Sequence, residues 1–230
     1  MAYPTDPRVA HGTVAVDRID EGLRSFMLGV FNYMGLGLAI TGLTAFVVAT
    51  TPALYVPIFT TPLKWVVMLA PLGFIFFLGA RLHAMSVSAA QITFWLFCGI
   101  MGISLASIFL VFTGESIARV FFITAATFGA VSLYGYTTKR DLAQFGSFLF
   151  MGLIGIVIAS IVNIFLGSSA LQFAVSVIGV LVFTGLTAWD TQRLKEEYLT
   201  GFGSAEMAAK GSIMGALSLY LNFINLFVML

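Results

Sequence analysis

Seven runs of about 20 apolar residues constrain this chain more tightly than any motif in it: 26–48, 63–80, 89–112, 117–136, 145–166, 171–189 and 213–230. Each can cross the ~30 Å hydrocarbon core of a bilayer as a helix rising ~1.5 Å per residue. Turn chemistry or charge separates them, at Thr51-Pro52 and Thr61-Pro62, Arg81, Gly114-Glu115, Lys139-Arg140-Asp141, Gly167-Ser168-Ser169, and the longer stretch from Asp190 to Lys210. Lipid offers backbone N–H and C=O groups no partner, so such a chain must satisfy them within helices. The expected fold is an all-α membrane protein of seven transmembrane helices. It forms one domain over 26–230, preceded by a cytoplasmic tail over 1–25.

Composition excludes a water-soluble alternative. Hydrophobic residues make up 60% of the chain and charged residues 9%, against about 45–50% and about 25% in soluble domains. So few charges cannot cover an aqueous surface, and lipid must cover most of it. The net charge of +1, with basic residues scattered singly or in pairs, provides no stripe for a phosphate backbone, so no nucleic-acid partner is expected. The single cysteine, Cys98, lies in an apolar run and reads as a small buried residue. His11 and His83 lie in different regions, and no His/Cys/Glu spacing suits a transition metal.

The polar start of the chain is not a secretory signal peptide, and the first apolar run is expected to act as an uncleaved signal anchor. Placing the tail and alternate connections on one side collects Arg8, Arg18, Arg24, Arg81, Lys139, Arg140, Arg193, Lys195 and Lys210, leaving Lys64 and Arg119 on the other. A bias of nine to two puts the N-terminus in the cytoplasm and, with seven spans, the C-terminus outside.

Two features carry the candidate chemistry. In the last run Gly211, Gly215, Ser218, Asn222 and Asn225 follow steps of four, three, four and three, a seam on one helix face. Small residues admit a neighbouring helix closely, and an unpaired amide in hydrocarbon costs several kcal/mol. The last helix is therefore expected at the centre of the bundle, with a purely adhesive seam as the plainer reading. The second feature is Asp190, an acid at the close of the sixth run; an intramembrane carboxylate is a functional candidate unless solvated or paired. Its plainer reading is an interfacial group paired with Arg193, one turn on. Arg81, on the same side, is a candidate to latch Asp190 across the bundle or else a headgroup anchor.

Three membrane chemistries fail by absence. The last run has no lysine for a retinal, no Gly-x-Gly-Asp pair serves an aspartyl protease, and no Gly-x-Ser-Gly with a facing histidine serves a rhomboid. No enzyme is expected.

The segments Ala125-Ala126-Thr127-Phe128-Gly129-Ala130, Tyr134-Gly135-Tyr136-Thr137-Thr138-Lys139-Arg140-Asp141-Leu142, Trp189-Asp190, and Gly215-Ala216-Leu217-Ser218-Leu219-Tyr220-Leu221-Asn222-Phe223-Ile224-Asn225-Leu226-Phe227 resemble the Bax inhibitor (transmembrane BAX inhibitor motif) family. Ile19-Asp20-Glu21-Gly22-Leu23-Arg24, leading into Asn32-Tyr33-Met34, is similar to its bacterial branch. The resemblance implies seven helices with the last in the middle, a multi-pass protein of the bacterial inner membrane, and a pH-sensitive calcium leak. It also implies a pair of aspartates sharing a proton, the first held closed by an arginine of the second helix. Asp190 matches the first aspartate and Arg81 the arginine, but the second position is Asn222, which removes both the charge and the shared proton. Asp190 is then the expected calcium ligand, weaker than a paired-acid site because a hard cation gains most from anionic oxygens. Calcium is cargo here, and no cofactor is expected. Two other functions follow from the same pattern: contact regulation of a membrane-bound AAA protease or stress response through the tail, and proton-coupled solute transport, for which broken helices are not evident.

Overall fold

The structure, a computed structural model, describes residues 7–81 and 84–230, with side chains from Asp20 onward. His83 and the start of the tail lie outside the described residues, as does the side chain of His11. Eight helices follow in order: α1 (Pro7–Thr50), α2 (Pro52–Thr60), α3 (Leu63–Arg81), α4 (Val87–Val111), α5 (Gly114–Thr137), α6 (Ala143–Leu166), α7 (Ser169–Thr200) and α8 (Ala205–Met229). No strand occurs among the described residues. Seven of the helices are long and apolar enough to cross a membrane, in agreement with the count of apolar runs.

The connections are short because the sequence caps each turn at once. Ser86, Thr113, Ser168 and Ser204 sit at N-caps, each accepting from the backbone N–H three residues on. Gly167 ends α6 in the left-handed conformation that glycine adopts freely. Three boundaries differ from the sequence expectation. Helix α1 begins at Pro7, well before its apolar run, because residues 7–25 hold no proline after the first position and a helix can continue through polar sequence. Helix α2 occupies the first connection, where Pro52 at its first turn starts it and Tyr55, Ile58 and Phe59 pack against Ala45, Val48 and Ala106. At 9 residues, ~14 Å of rise, it is too short to span. Helix α7 runs on past Asp190 to Thr200 and α8 starts at Ala205, ahead of the apolar run expected from 213, so the long break shrinks to Gly201-Phe202-Gly203-Ser204, with Gly201 at φ 90° and Gly203 at φ 72°. Arg193 and Glu197, four apart, read as helical charge once the turn is followed.

Helix α8 is central, packed by α1, α4, α5 and α7. Of its apolar stretch 61% is buried in the protein, against 6% for α6 at the rim. The main core joins Phe26, Val30, Phe94, Phe97, Leu194, Leu219 and Tyr220 across these helices. Where α1 crosses α4, a Cβ on Gly102 would lie 2.6 Å from the Thr41 carbonyl oxygen, so glycine is what permits the crossing. At that crossing Tyr220, fully buried, reaches from α8 to the Thr41 hydroxyl at 2.6 Å. Thr41 Oγ1 in turn lies 2.9 Å from the carbonyls of Gly37 and Cys98. A hydroxyl has one proton, so Tyr220 donates to Thr41 and Thr41 donates to the carbonyls, tying three helices at one buried point.

Candidate functional site

The site forms where α7 meets the polar seam of α8. Asp190 lies within α7 and is only 5% exposed. The neighbouring hydroxyls on its own helix are turned to backbone: Thr187 Oγ1 donates to the Phe183 carbonyl at 2.7 Å and Thr191 Oγ1 to that of Thr187 at 2.8 Å. The carboxylate is left to α8. Ser218 and Asn222, four residues apart and hence on one face, both donate to Asp190 Oδ2, at 2.8 Å from Oγ and 2.7 Å from Nδ2. Oδ1 accepts from Arg193 Nη2 at 2.8 Å. A buried acid with three donors is compensated as a buried charge requires.

Gly215 sits one turn before Ser218 and presses on Leu194 of α7, where a Cβ would lie 2.6 Å from Leu194 Cδ2. This close approach brings the two α8 donors within reach. Asn225 continues the seam in sequence but not in function: its amide donates at 2.8 Å to the Leu221 carbonyl of its own helix. Arg81 is exposed at the end of α3, whose packing is against α2 and α4, and makes no ion pair among the described residues. The cation at Asp190 is Arg193 of the same helix, the plainer of the two pairings open from sequence. Helix order explains the difference: both arginines share an end of the bundle, but α7 is flanked by α5, α6, α8 and α1.

Arg193 has a second carboxylate nearby. Its guanidinium stacks on the Trp189 ring at 4.9 Å, and its Nε lies 3.6 Å from Glu197 Oε1. One turn of α7 thus gives the cation two anionic partners, one buried and one half-exposed.

Residues the sequence did not single out hold this end of α7 in place. Gln192 Oε1 accepts from the Leu142 N–H at 2.7 Å, and Gln192 Nε2 donates to the Arg140 carbonyl at 2.8 Å, clamping the α5–α6 connection. Lys195 Nζ donates to the Tyr136 carbonyl at 2.9 Å. The signal available was a glutamine following an intramembrane acid by two positions, a group that also needs a partner if buried. Among the described residues no group of three His, Cys, Asp or Glu side chains comes together, and Asp190 is the one carboxylate at the α7–α8 interface. A resident calcium ion, which takes six to eight oxygen ligands, finds no such cage here. Asp190 can serve a passing cation only when Arg193 or a seam donor gives way.

Residues 23–230 match the family described as "Inhibitor of apoptosis-promoting Bax1". The chain is similar to an uncharacterised protein of Rickettsia prowazekii, 50% identical over 211 residues that cover 92% of this chain and 89% of the relative. It is 48% identical over 218 residues to one of Caulobacter vibrioides, covering 91% and 87% of the two chains. To the inner membrane protein YbhL of Escherichia coli it is 46% identical over 212 residues, covering 91% and 90%. With a family match over residues 23–230 and relatives matched over 91–92% of this chain, the chain belongs to the Bax inhibitor family of multi-pass membrane proteins.

Proposed function

We propose that this protein is a pH-sensitive calcium leak of the bacterial inner membrane, with its N-terminus in the cytoplasm and Asp190 as the group that admits or refuses the ion. The observation that carries the reading is the buried Asp190 carboxylate, held between Arg193 and the α8 donors Ser218 and Asn222. An acid kept inside a membrane bundle is costly, and pathways for ions and protons are where such groups are retained. The name of the Escherichia coli relative supports the inner membrane, and the nine-to-two distribution of basic residues supports the orientation.

In this mechanism Arg193 is the resident counter-charge and competes with calcium for Asp190. Transfer of the guanidinium to Glu197, pivoting on the Trp189 ring, exposes Oδ1 to a cation; the Ser218 hydroxyl and the Asn222 carbonyl oxygen then add neutral ligands. Protonation of Asp190 removes the charge that draws both the arginine and the ion, so flux responds to pH. Asn222 sets this chain apart from a paired-acid gate, since an amide donates to the carboxylate without competing for its proton.

The test is calcium flux in proteoliposomes from about pH 6 to 8, comparing the unaltered protein with Asn222→Asp, Arg193→Gln and Arg81→Gln. Asn222→Asp is expected to reshape the pH profile, because two adjacent carboxylates titrate as a unit. Arg193→Gln is expected to raise the leak, and Arg81→Gln to leave it unchanged. Identical pH profiles for the unaltered protein and Asn222→Asp would remove Asn222 from the sensor.

A further inference from the structure

A cleft of about 780 Å³ opens between α1 and α5 at the end of the bundle that carries most of the basic residues. Its walls grade from polar to apolar along the helices. Asp20 and Arg24 of α1 and Tyr136 of α5 stand at the mouth, followed inward by Ser132, then Met27, Leu28, Phe31 and Phe128, and finally Met34. From Asp20 to Met34 helix α1 rises ~21 Å. One bilayer leaflet, half of a ~30 Å core plus its headgroup layer, measures about 20–22 Å. The cleft therefore has the length and the polarity gradient of a single leaflet.

Two further observations point to a ligand with a headgroup, beyond a generic acyl chain. Ser132 is only 4% exposed, and its hydroxyl has no hydrogen-bond partner among the described residues, whereas Ser107 bonds to its own helix and Ser218 donates to Asp190. An orphaned buried hydroxyl is costly and calls for an acceptor in the cleft it lines. Asp20 and Arg24 are one helical turn apart in the order that favours pairing, yet they form no ion pair with each other. Each is left exposed with its charge available at the cleft mouth.

We propose that the α1–α5 cleft binds one amine-bearing phosphoglyceride, with the phosphate on Arg24, the headgroup ammonium on Asp20, an ester carbonyl accepting from Ser132, and an acyl chain along Phe31, Met34 and Phe128. The pairing of one acid with one base selects a zwitterion. An anionic glycerol headgroup meets Asp20 with like charge, and a quaternary ammonium has no N–H for the carboxylate. The acyl chain covers the flank of the core at Phe128, whose ring packs on Phe223 of α8 at 5.5 Å, so the lipid seals the central helix on the side where α1 and α5 stand apart.

Native mass spectrometry of the full chain, released from micelles supplied with equal phosphatidylethanolamine, phosphatidylglycerol and phosphatidylcholine, tests this directly. One phosphatidylethanolamine per protein is expected, preferred about tenfold, the size of effect that a charge-assisted hydrogen bond supplies. Gly129→Leu fills the cleft from α5, where a Cβ has no heavy atom within 4 Å, and is expected to abolish lipid retention. Asp20→Asn, at an exposed position, is expected to keep the lipid but level the preference between ethanolamine and choline headgroups. Ser132→Ala is expected to weaken retention with either headgroup. Retention of phosphatidylethanolamine by Gly129→Leu equal to that of the unaltered protein, or equal binding of all three lipids by the unaltered protein, would overturn the proposal. Calcium flux plays no part in this readout, so it stands or falls separately from the leak.

Discussion

Helices α6 and α8 have nearly the same length and opposite fates. Helix α6 is the most apolar of the seven spans and lies at the rim, its Phe148, Met151 and Phe165 exposed; α8 carries glycine, serine and asparagine and is the most buried. In a soluble protein the order would be reversed. Where the solvent is hydrocarbon, apolar side chains gain nothing by leaving it, and polar groups and small residues are what bring helices together. The interior of this bundle is therefore marked by polarity. The functional group lies inside for the same reason, since two of the three donors to Asp190 stand on the central helix.

The sharpest way to break this contrast is to remove the acid. Asp190→Ala strands the Ser218 hydroxyl and the Asn222 amide and takes the near partner from Arg193 at once. The expected loss is roughly 3 kcal/mol or more, read as a lowered unfolding midpoint in detergent, with the half-exposed arginine recovering part of it through water. A loss below ~1 kcal/mol would mean the interface is held by packing alone, and the polar interior would be incidental.

Next in size is Gly135→Ala, where α5 meets α7. A Cβ there would lie 2.3 Å from the Ala188 carbonyl oxygen, and backbone cannot swing aside as a side-chain end can. The helices must part, at about 1–3 kcal/mol, and because Ala188 is two residues from Asp190 the flux should change as well. At Gly215 the facing atom is the end of Leu194, so Gly215→Ala is expected to cost less than Gly135→Ala in the same unfolding measurement. Tyr220→Phe keeps the ring packed on Phe94 and Phe97 and removes only the hydroxyl that reaches Thr41. About 0.6–1.7 kcal/mol is expected, the range of interhelical hydrogen bonds inside membranes.

The contrast also explains which parts were legible in the sequence. Seven spans follow from the lengths of the apolar runs, and the central place of α8 from its seam, because both express one rule about what lipid tolerates. The seam's register puts Gly215, Ser218, Asn222 and Asn225 on one helix face; in the bundle the first three meet α7, while the Asn225 amide donates to a carbonyl of its own helix. Helix α7 was cut short at Asp190 because charge after an apolar run looks like a loop; only the i, i+4 relation of Arg193 to Glu197 and the glycines at 201 and 203 carry the true boundary. The choice between Arg81 and Arg193 was not legible at all. Both arginines fall on one side, and which helix lies beside α7 is a property of the packed bundle.

At the small end of the scale, Gly155→Ala tests the rim itself. Gly155 is exposed on α6 and a Cβ there meets nothing within 4 Å. In water an alanine for glycine in a helix stabilises by about 0.5–1 kcal/mol, because the unfolded glycine chain is the more disordered. In a bilayer that gain shrinks, since lipid already forces the unfolded chain to satisfy its own backbone as helix. The added methyl merely exchanges one hydrocarbon contact for another. The expected change in unfolding free energy is therefore within ~0.5 kcal/mol, with unaltered flux. A loss of ~1 kcal/mol or more would show that this face of α6 is covered by protein, so that α6, like α8, is interior to some larger assembly.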